Sequence, residues 1–298
     1  MRYYMEEIEY FRVSISFLIL LSASISDWKT RSATDLHWIL LGFIGISVLS
    51  VEMYLSETPA LYYFFIIPIA IIFFDIFWDR KGIFEDGINL IPLLLYLSGL
   101  IVLILLAVKF WNQIFFWKLM TIVIMFGIII LFYNLNIIKG GADAKALLAL
   151  SIVFPHYPVI GHFPIIDIPS AVNELLFPFS LLILFNAALL SIVVPIALFF
   201  YNLLQGDRRI PVMFFGYRVN IDDIKSKFVW PLEYFDGDAI KLTIFPRSID
   251  SLEIQLEEFK KRHIEKIWVT PKIPFMIPIT ISLLFSVVVG NLIFLLID

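Results

Sequence analysis

Two aspartates in this sequence have the surroundings expected of an acid–base pair. Asp27 follows an apolar segment and precedes the basic stretch 29–31, and Asp143 follows the small residues 140–142. Two carboxyl groups that lie close together do not ionise independently, so the pair shares a proton near neutral pH. The protonated member can polarise a peptide carbonyl while the ionised member takes a proton from water. Such a pair can hydrolyse a peptide bond without a metal, a thiol or a serine, and its titration belongs to both residues.

Each aspartate taken alone has a simpler interpretation. Asp27 reads as a solvated carboxylate at the end of a helix, beside a basic loop. Asp143 reads as an acid at a helix start after a glycine turn, where free N–H groups and the helix dipole stabilise it. The pair is therefore informative only if other elements bring both residues to one place.

The composition predicts that lipid surrounds much of the chain. Of the 298 residues, 60% are hydrophobic and only 16% are charged, whereas a soluble domain carries about 25% charged residues. The sequence has no cysteine, which excludes disulfides, zinc–thiolate sites, iron–sulfur clusters and thiol nucleophiles. The four histidines lack metal-ligand spacing, and the net charge of −4 gives no indication of nucleic acid. We therefore predict no metal, no cofactor and no nucleic-acid partner.

Eight apolar runs predict an all-α polytopic membrane protein with about eight transmembrane helices. A span needs about 20 residues, so the run at 143–155 is the weakest of the eight. The runs cover residues 8–26, 36–54, 59–78, 88–108, 117–137, 143–155, 174–203 and 274–297.

The positions of lysine and arginine predict how these helices cross the membrane. If the N-terminus lies outside, eighteen of the 22 basic residues lie on the cytosolic side, and the external stretch 155–174 has none. The sequence thus predicts a multi-pass protein of the cell membrane with both Asp27 and Asp143 facing the cytosol.

A small α+β cytosolic insert is predicted near the C-terminus. Residues 239–245 alternate as a strand does, apolar residues between 249 and 259 have helical spacing, and Asp250 with Glu253 resembles a capping pair. Its better interpretation is a solvated module between helices without a catalytic role. The predicted domains are a transmembrane domain at 1–203, the soluble insert at 204–272 and a C-terminal transmembrane helix at 273–298.

Two motifs resemble those of the archaeal type IV prepilin and preflagellin peptidases. Residues 26–38, with the sequence SDWKTRSATDLHW, resemble the first-aspartate motif of that family. Residues 140–145, GGADAK, resemble its second motif, of the GxGD type found in intramembrane aspartyl proteases. Segments 216–219 and 271–275 resemble the C-terminal extension of some archaeal members.

The resemblance implies a catalytic dyad of Asp27 and Asp143, with Gly140 and Gly141 at the small positions of the second motif. It also implies prepilin-like or preflagellin-like membrane proteins as substrates. These carry a short charged leader before a hydrophobic helix and are cut at the junction, at the cytosolic membrane face. Lys145 has two equal interpretations, as a group that steers an acidic substrate residue or as a marker of the cytosolic side.

The sequence departs from the family pattern in three respects. Ala142 stands where the second motif has glycine, and the two aspartates are 116 residues apart, which is longer than usual. An extra helix pair around 59–108 would account for the spacing. The bacterial enzymes link N-methylation to a cysteine-rich region, so a chain without cysteine is not expected to methylate its products in that way.

Other functions stay open at this point. An ion-coupled transporter would use the carboxylates at helix ends, although the sequence shows no inverted repeat. A non-enzymatic anchor would present the 204–272 insert to a partner. Asp75 or Asp86, in a mixed-charge loop, would be the fallback member of a dyad if one of the two motif aspartates were wrong.

Overall fold

The structure, a computed structural model, describes residues 2–166, 170–244 and 252–293. The chain divides into two compact units, one of Met1–Ala188 with Pro274–Asp298 and the other of Leu189–Ile273. The domain boundaries at 203 and 273 inferred from the sequence stay a prediction.

The first unit is built from apolar helices. Two shorter apolar helices accompany five helical segments of the described chain that are long and apolar enough to cross a membrane: Met5–Thr30, Asp35–Leu55, Leu90–Phe110, Ile114–Asn134 and Phe179–Gln205, the last of which extends into the second unit. The prediction of a polytopic helical membrane protein with a small sheet-containing insert is therefore confirmed. The helices of this part are α1 (Arg2–Thr30), α2 (Asp35–Leu55), α3 (Ile66–Asp75), α4 (Leu90–Phe110), α5 (Ile114–Asn134), α6 (Gly141–Val153), α7 (Ala171–Leu176), α8 (Phe179–Ser191) and, after the second unit, α11 (Met276–Val288).

Prolines divide the apolar run predicted at 174–203. Helix α7 ends at Leu176, and the apolar span Phe179–Gln205 that follows consists of α8 and α9 (Val193–Gln205), which are interrupted only at Ile192. Pro178 directly precedes α8, and a proline can begin a helix but cannot donate an N–H inside one. Pro195 likewise cannot bond the carbonyl of Ser191, the residue at which α8 ends. Apolar composition predicted the run, and proline positions explain its breaks.

Helix α6 is short but enclosed by protein. Residues 146–153 are all buried, and the helix packs against α2 and α5. A Cβ added to Gly45 of α2 would lie 3.0 Å from Ile152 Cγ2 and 3.0 Å from Val153 Cγ2, so glycine allows the two helices to approach closely. A helix of 13 residues is too short to cross about 30 Å of hydrocarbon alone. Its burial in protein makes that length tolerable.

Small polar residues join α1 to α11. Ser24 Oγ lies 2.7 Å from Thr280 Oγ1. Thr280 Oγ1 also bonds the carbonyl oxygen of Met276 at 2.8 Å. Both hydroxyl-bearing residues are buried, so these bonds satisfy groups that lipid could not. The contact fixes the end of α1 that carries Asp27 against the start of α11.

The second unit is a small α+β module. An antiparallel sheet has the order β1-β5-β2, from β1 (Tyr217–Asn220), β2 (Val229–Pro231) and β5 (Lys266–Pro271). A hairpin pairs β3 (Glu233–Asp236) with β4 (Ala239–Leu242). Helix α10 (Leu252–Lys261) buries Leu256 and Phe259 in the core with Val219, Ile267 and Val269 of the sheet.

The strand and the helix predicted in this module are both present, with adjusted ends. The strand predicted at 239–245 is observed as β4, which ends at Leu242. The helix is α10, whose amphipathic spacing places Leu256 and Phe259 inward. The predicted capping residue Asp250 lies outside the described residues.

Candidate active site

Asp27 lies in the last turn of α1, beside the start of α11. Its carboxylate accepts a hydrogen bond from the backbone N–H of Met276, and it interacts electrostatically with Arg31. The first N–H groups of a helix have no partner within the helix, so a carboxylate placed there satisfies one of them and meets the positive end of the dipole. Helix α1 continues to Thr30, so Asp27 does not end the helix as the sequence suggested.

Asp143 occupies the third position of α6 and folds back over the preceding glycine. A Cβ added to Gly140 would lie 2.1 Å from Asp143 Oδ2. Only a residue without a side chain leaves the carboxyl group in this position. A Cβ added to Gly141 would meet only the Tyr133 hydroxyl, at 3.7 Å. The two glycines of the motif therefore differ: Gly140 makes room for the acid, and Gly141 has ordinary contact distances.

The fold brings the two aspartates together. Asp143 and Asp27 lie close enough to interact electrostatically, although they belong to helices separated by four others in the chain. Both side chains are only partly exposed. An arrangement of two neighbouring, half-buried carboxyl groups can hold one proton between them and admit water.

Gly140→Ala is expected to reduce cleavage about 10²-fold with little loss of stability, because a misplacement of about 1 Å costs about that much in rate. The added Cβ forces the Asp143 carboxyl, the mobile end of its side chain, to rotate away. The measurement is the cleavage rate alongside the thermal unfolding temperature. Gly127→Ala is the matched control, because a Cβ there meets nothing within 4 Å. Equal activity of the two variants would contradict the close approach of Gly140 to Asp143.

Lys145 is already engaged within the protein. Its Nζ lies 2.6 Å from Asp35 Oδ1, at the first turn of α2, and 5.0 Å from the centroid of the Phe77 ring. The pair links the start of α6, two residues beyond Asp143, to the start of α2. This internal pairing favours a positioning role over the steering of substrate.

Lys145→Met and Asp35→Asn are expected to lower cleavage by a similar, small factor. A partly exposed ion pair contributes about 0–1 kcal/mol, which is at most about fivefold. The double variant should lose no more than either single variant, because each change already removes the same contact. A double-mutant cycle on KM and kcat measures this. If Lys145 binds an acidic substrate instead, Lys145→Met raises KM and Asp35→Asn leaves it unchanged.

The fallback aspartates have partners of their own. Asp75 accepts a hydrogen bond from Arg80 Nε at 2.8 Å and another from the Tyr96 hydroxyl at 2.6 Å. Asp86 pairs with Lys81 Nζ at 3.0 Å. These contacts indicate local structural roles for both residues. Among the described residues, no group of three or more His, Asp or Glu side chains could hold a metal ion.

One buried ionic cluster was not predicted from the sequence. We call it the Arg12 cluster, and it consists of Glu9, Arg12, Glu52 and His156. Arg12 is 0% exposed, donates to Glu9 at 2.9 Å, and forms a second ion pair with Glu52 of α2. His156 Nε2 lies 2.9 Å from Glu52 Oε1. The cluster could have been suspected from the charged residues at positions 9, 12 and 52, which lie inside predicted apolar runs. A charge buried in such a run requires a partner.

The chain is similar to archaeal preflagellin peptidases. The family described as Archaeal Peptidase A24 C-terminus Type II matches residues 208–292. The preflagellin peptidase of Methanocaldococcus jannaschii is 29% identical over 158 residues, covering 51% of this chain and 63% of that protein. The preflagellin peptidase of Methanococcus voltae is 25% identical over 285 residues, covering 93% of this chain and 94% of that protein. An uncharacterised protein of M. jannaschii is 27% identical over 271 residues, covering 89% of this chain and 87% of that protein.

These matches relate the chain, with its apolar helices, to the archaeal A24 peptidases. Over most of its length the chain is similar to an archaeal preflagellin peptidase, at 25% identity. The matches do not support the alternative of an ion-coupled transporter, and the non-enzymatic anchor leaves them unexplained.

Proposed function

We propose that this protein is a membrane-embedded aspartyl endopeptidase that removes the short leader from preflagellin-like or prepilin-like proteins at the cytosolic membrane face. The observation that carries the proposal is that Asp27 and Asp143, two partly exposed acids from distant parts of the chain, lie within range of electrostatic interaction. The preflagellin peptidases among the relatives support the choice of leader-bearing substrates.

The proposed reaction needs only the two carboxyl groups and water. The ionised carboxylate takes a proton from water, whose oxygen attacks the scissile carbonyl carbon while the protonated carboxyl donates its proton to the carbonyl oxygen. When the tetrahedral intermediate collapses, the C–N bond breaks, the leaving nitrogen takes the proton that water gave up, and one hydroxyl of the intermediate returns its proton to the carboxylate that had donated one. The two acids thereby exchange roles, and neither is assigned permanently as acid or base.

The substrate chain must be extended at the point of attack. In a helix the peptide groups are already hydrogen-bonded and shielded from water, so the junction between leader and hydrophobic helix has to unwind. Gly140 accommodates the Asp143 carboxyl itself, so the space for such a strand falls to the small residues 141 and 142. This requirement favours cleavage at a junction over cleavage within the hydrophobic helix.

The cytosolic orientation of the site rests on charge. Lys29 and Arg31 follow Asp27, and Lys139 and Lys145 flank Asp143, whereas residues 155–174 contain no lysine or arginine. Basic residues accumulate on the cytosolic side of membrane proteins. The same bias puts the N-terminus outside.

The test is a cleavage assay with membranes that carry this protein and a panel of leader-bearing substrates, preflagellin-like and prepilin-like. The expected product is the mature chain with a new N-terminus at the junction, identified by mass spectrometry. A substrate with proline on the carboxyl side of the junction serves as the uncleavable control. If the protein is folded and every substrate is recovered with its leader intact, the proposal is contradicted.

A further inference from the structure

An apolar groove runs between α1 and α11 in the helical unit. Its volume is about 680 Å³, and apolar side chains form nearly all of its surface. On α1 it extends from Phe17 to Trp28, which corresponds to about 17 Å at 1.5 Å per residue. Residues that form its walls include Leu21, Ile25, Trp28, Ile277, Ile281 and Leu284.

The floor of the groove offers no polar group to a ligand. Ser24 and Thr280 lie there, and their hydroxyls bond each other and the carbonyl oxygen of Met276. The small side chains on the floor and the larger ones on the walls make the surface concave. Lipid supplies no hydrophobic driving force between helices, so helices associate in a membrane by shape complementarity at small residues. The groove therefore suits an apolar helix.

One end of the groove reaches the candidate active site. Trp28 and Ile277 line it at that end, and they directly follow Asp27 and Met276, whose carboxylate and N–H are hydrogen-bonded to each other. A helix that lies in the groove with its N-terminal end beside Trp28 would present the residues before it to Asp27.

We propose that the α1–α11 groove binds the hydrophobic helix of the substrate, with the helix start next to Asp27. This inference rests on the proposed function, since it assigns the subsite for the membrane part of a leader-bearing substrate. The groove accepts a helix of about 11 residues along its length at 1.5 Å per residue. Binding there aligns the leader junction with the two carboxyl groups and leaves the leader on the far side of them.

The test fills the groove and compares two substrates. Leu21→Trp and Ile281→Trp place bulk on its walls at positions that are 39% and 52% exposed. We expect KM for the full membrane substrate to rise tenfold or more, while a short peptide that spans the junction and lacks the hydrophobic helix is cleaved as before. Ile104→Trp on α4, also 52% exposed, is the matched control for added bulk on an apolar exposed surface.

A crosslinking measurement keeps the test independent of turnover. A photoreactive phenylalanine replaces Leu284 in the groove or, as control, Leu105 on α4, and both are introduced into an Asp143→Asn chain so that substrate is retained. We expect the substrate helix to be captured from position 284 and not from position 105.

Three results would overturn the subsite: equal capture at the two positions, equal losses on both substrates, or an effect no larger than that of Ile104→Trp. Each would mean that lipid alone occupies the groove. These results differ from those that would contradict the proposed function. In that case the short peptide would still be cleaved by variants that lack the Asp27 or the Asp143 carboxyl group.

Discussion

Asp27→Asn and Asp143→Asn should each lower the rate of leader cleavage by about 10²–10⁴-fold, the contribution of a positioned acid or base. Asparagine has nearly the same size as aspartate but cannot exchange a proton in this pH range. Its amide oxygen can still accept the bond that Met276 N–H donates at position 27. Folding should therefore be preserved while the shared proton is lost. The measurement is kcat under saturating substrate, with the unfolding temperature of each variant recorded in parallel.

The double variant Asp27→Asn/Asp143→Asn should be no slower than either single variant, because residues that act as one unit are strongly non-additive. Asp86→Asn is the matched control, since this acid is exposed and paired with Lys81. We expect it to keep full activity. Full activity of either Asp27→Asn or Asp143→Asn would show that the residue concerned is not catalytic.

Arg12→Met should destabilise the protein by about 3–5 kcal/mol, the cost of breaking a buried ion pair from one side. The change leaves Glu9 and Glu52, which are 5% and 6% exposed, without their shared cation. Replacing all three groups, as in Glu9→Gln/Arg12→Met/Glu52→Gln, should recover most of the loss because no buried charge then remains unpaired. Thermal unfolding in lipid or detergent measures the effect.

Lys81→Met removes a cation whose partner is exposed, and it should cost no more than about 1 kcal/mol. Similar unfolding temperatures for Arg12→Met and Lys81→Met would contradict a stabilising role for the Arg12 cluster.

His156 adds a dependence on pH to the Arg12 cluster. Burial opposes its charged form, but the hydrogen bond to Glu52 and the negative charges of Glu52 and Glu9 outweigh burial, so the pKa of His156 is raised. The stability it contributes is complete below the ordinary histidine pKa and is lost as pH rises through the raised value.

Local patterns in the sequence were sufficient to predict the long helices and to locate the two motifs. Long apolar runs predicted α1, α2, α4 and α5 because a helix satisfies its own backbone groups in lipid. The helical spacing of Leu256 and Phe259 predicted the buried face of α10. The ends of elements were harder, since they depend on single residues such as Pro178 and on contacts from elsewhere in the chain.

Long-range contacts could not be read from the sequence. Lys145 reads as a free cation until Asp35 of α2 is found 2.6 Å away. Arg12 reads as one of the few basic residues outside the membrane until Glu52 and His156 are seen beside it. In both cases the partner is separated by many residues, so no local spacing indicates it.

The sequence by itself was enough to predict a helical chain surrounded by lipid. It also showed that the chain carries two motif acids, no thiol and no metal-ligand pattern. The tertiary structure decided which groups meet. Asp143 lies within electrostatic range of Asp27 because α6 packs directly against α1 and is held there by its contacts with α2 and α5. Packing between distant helices depends on the complementary shape of whole surfaces, which no short stretch of sequence encodes.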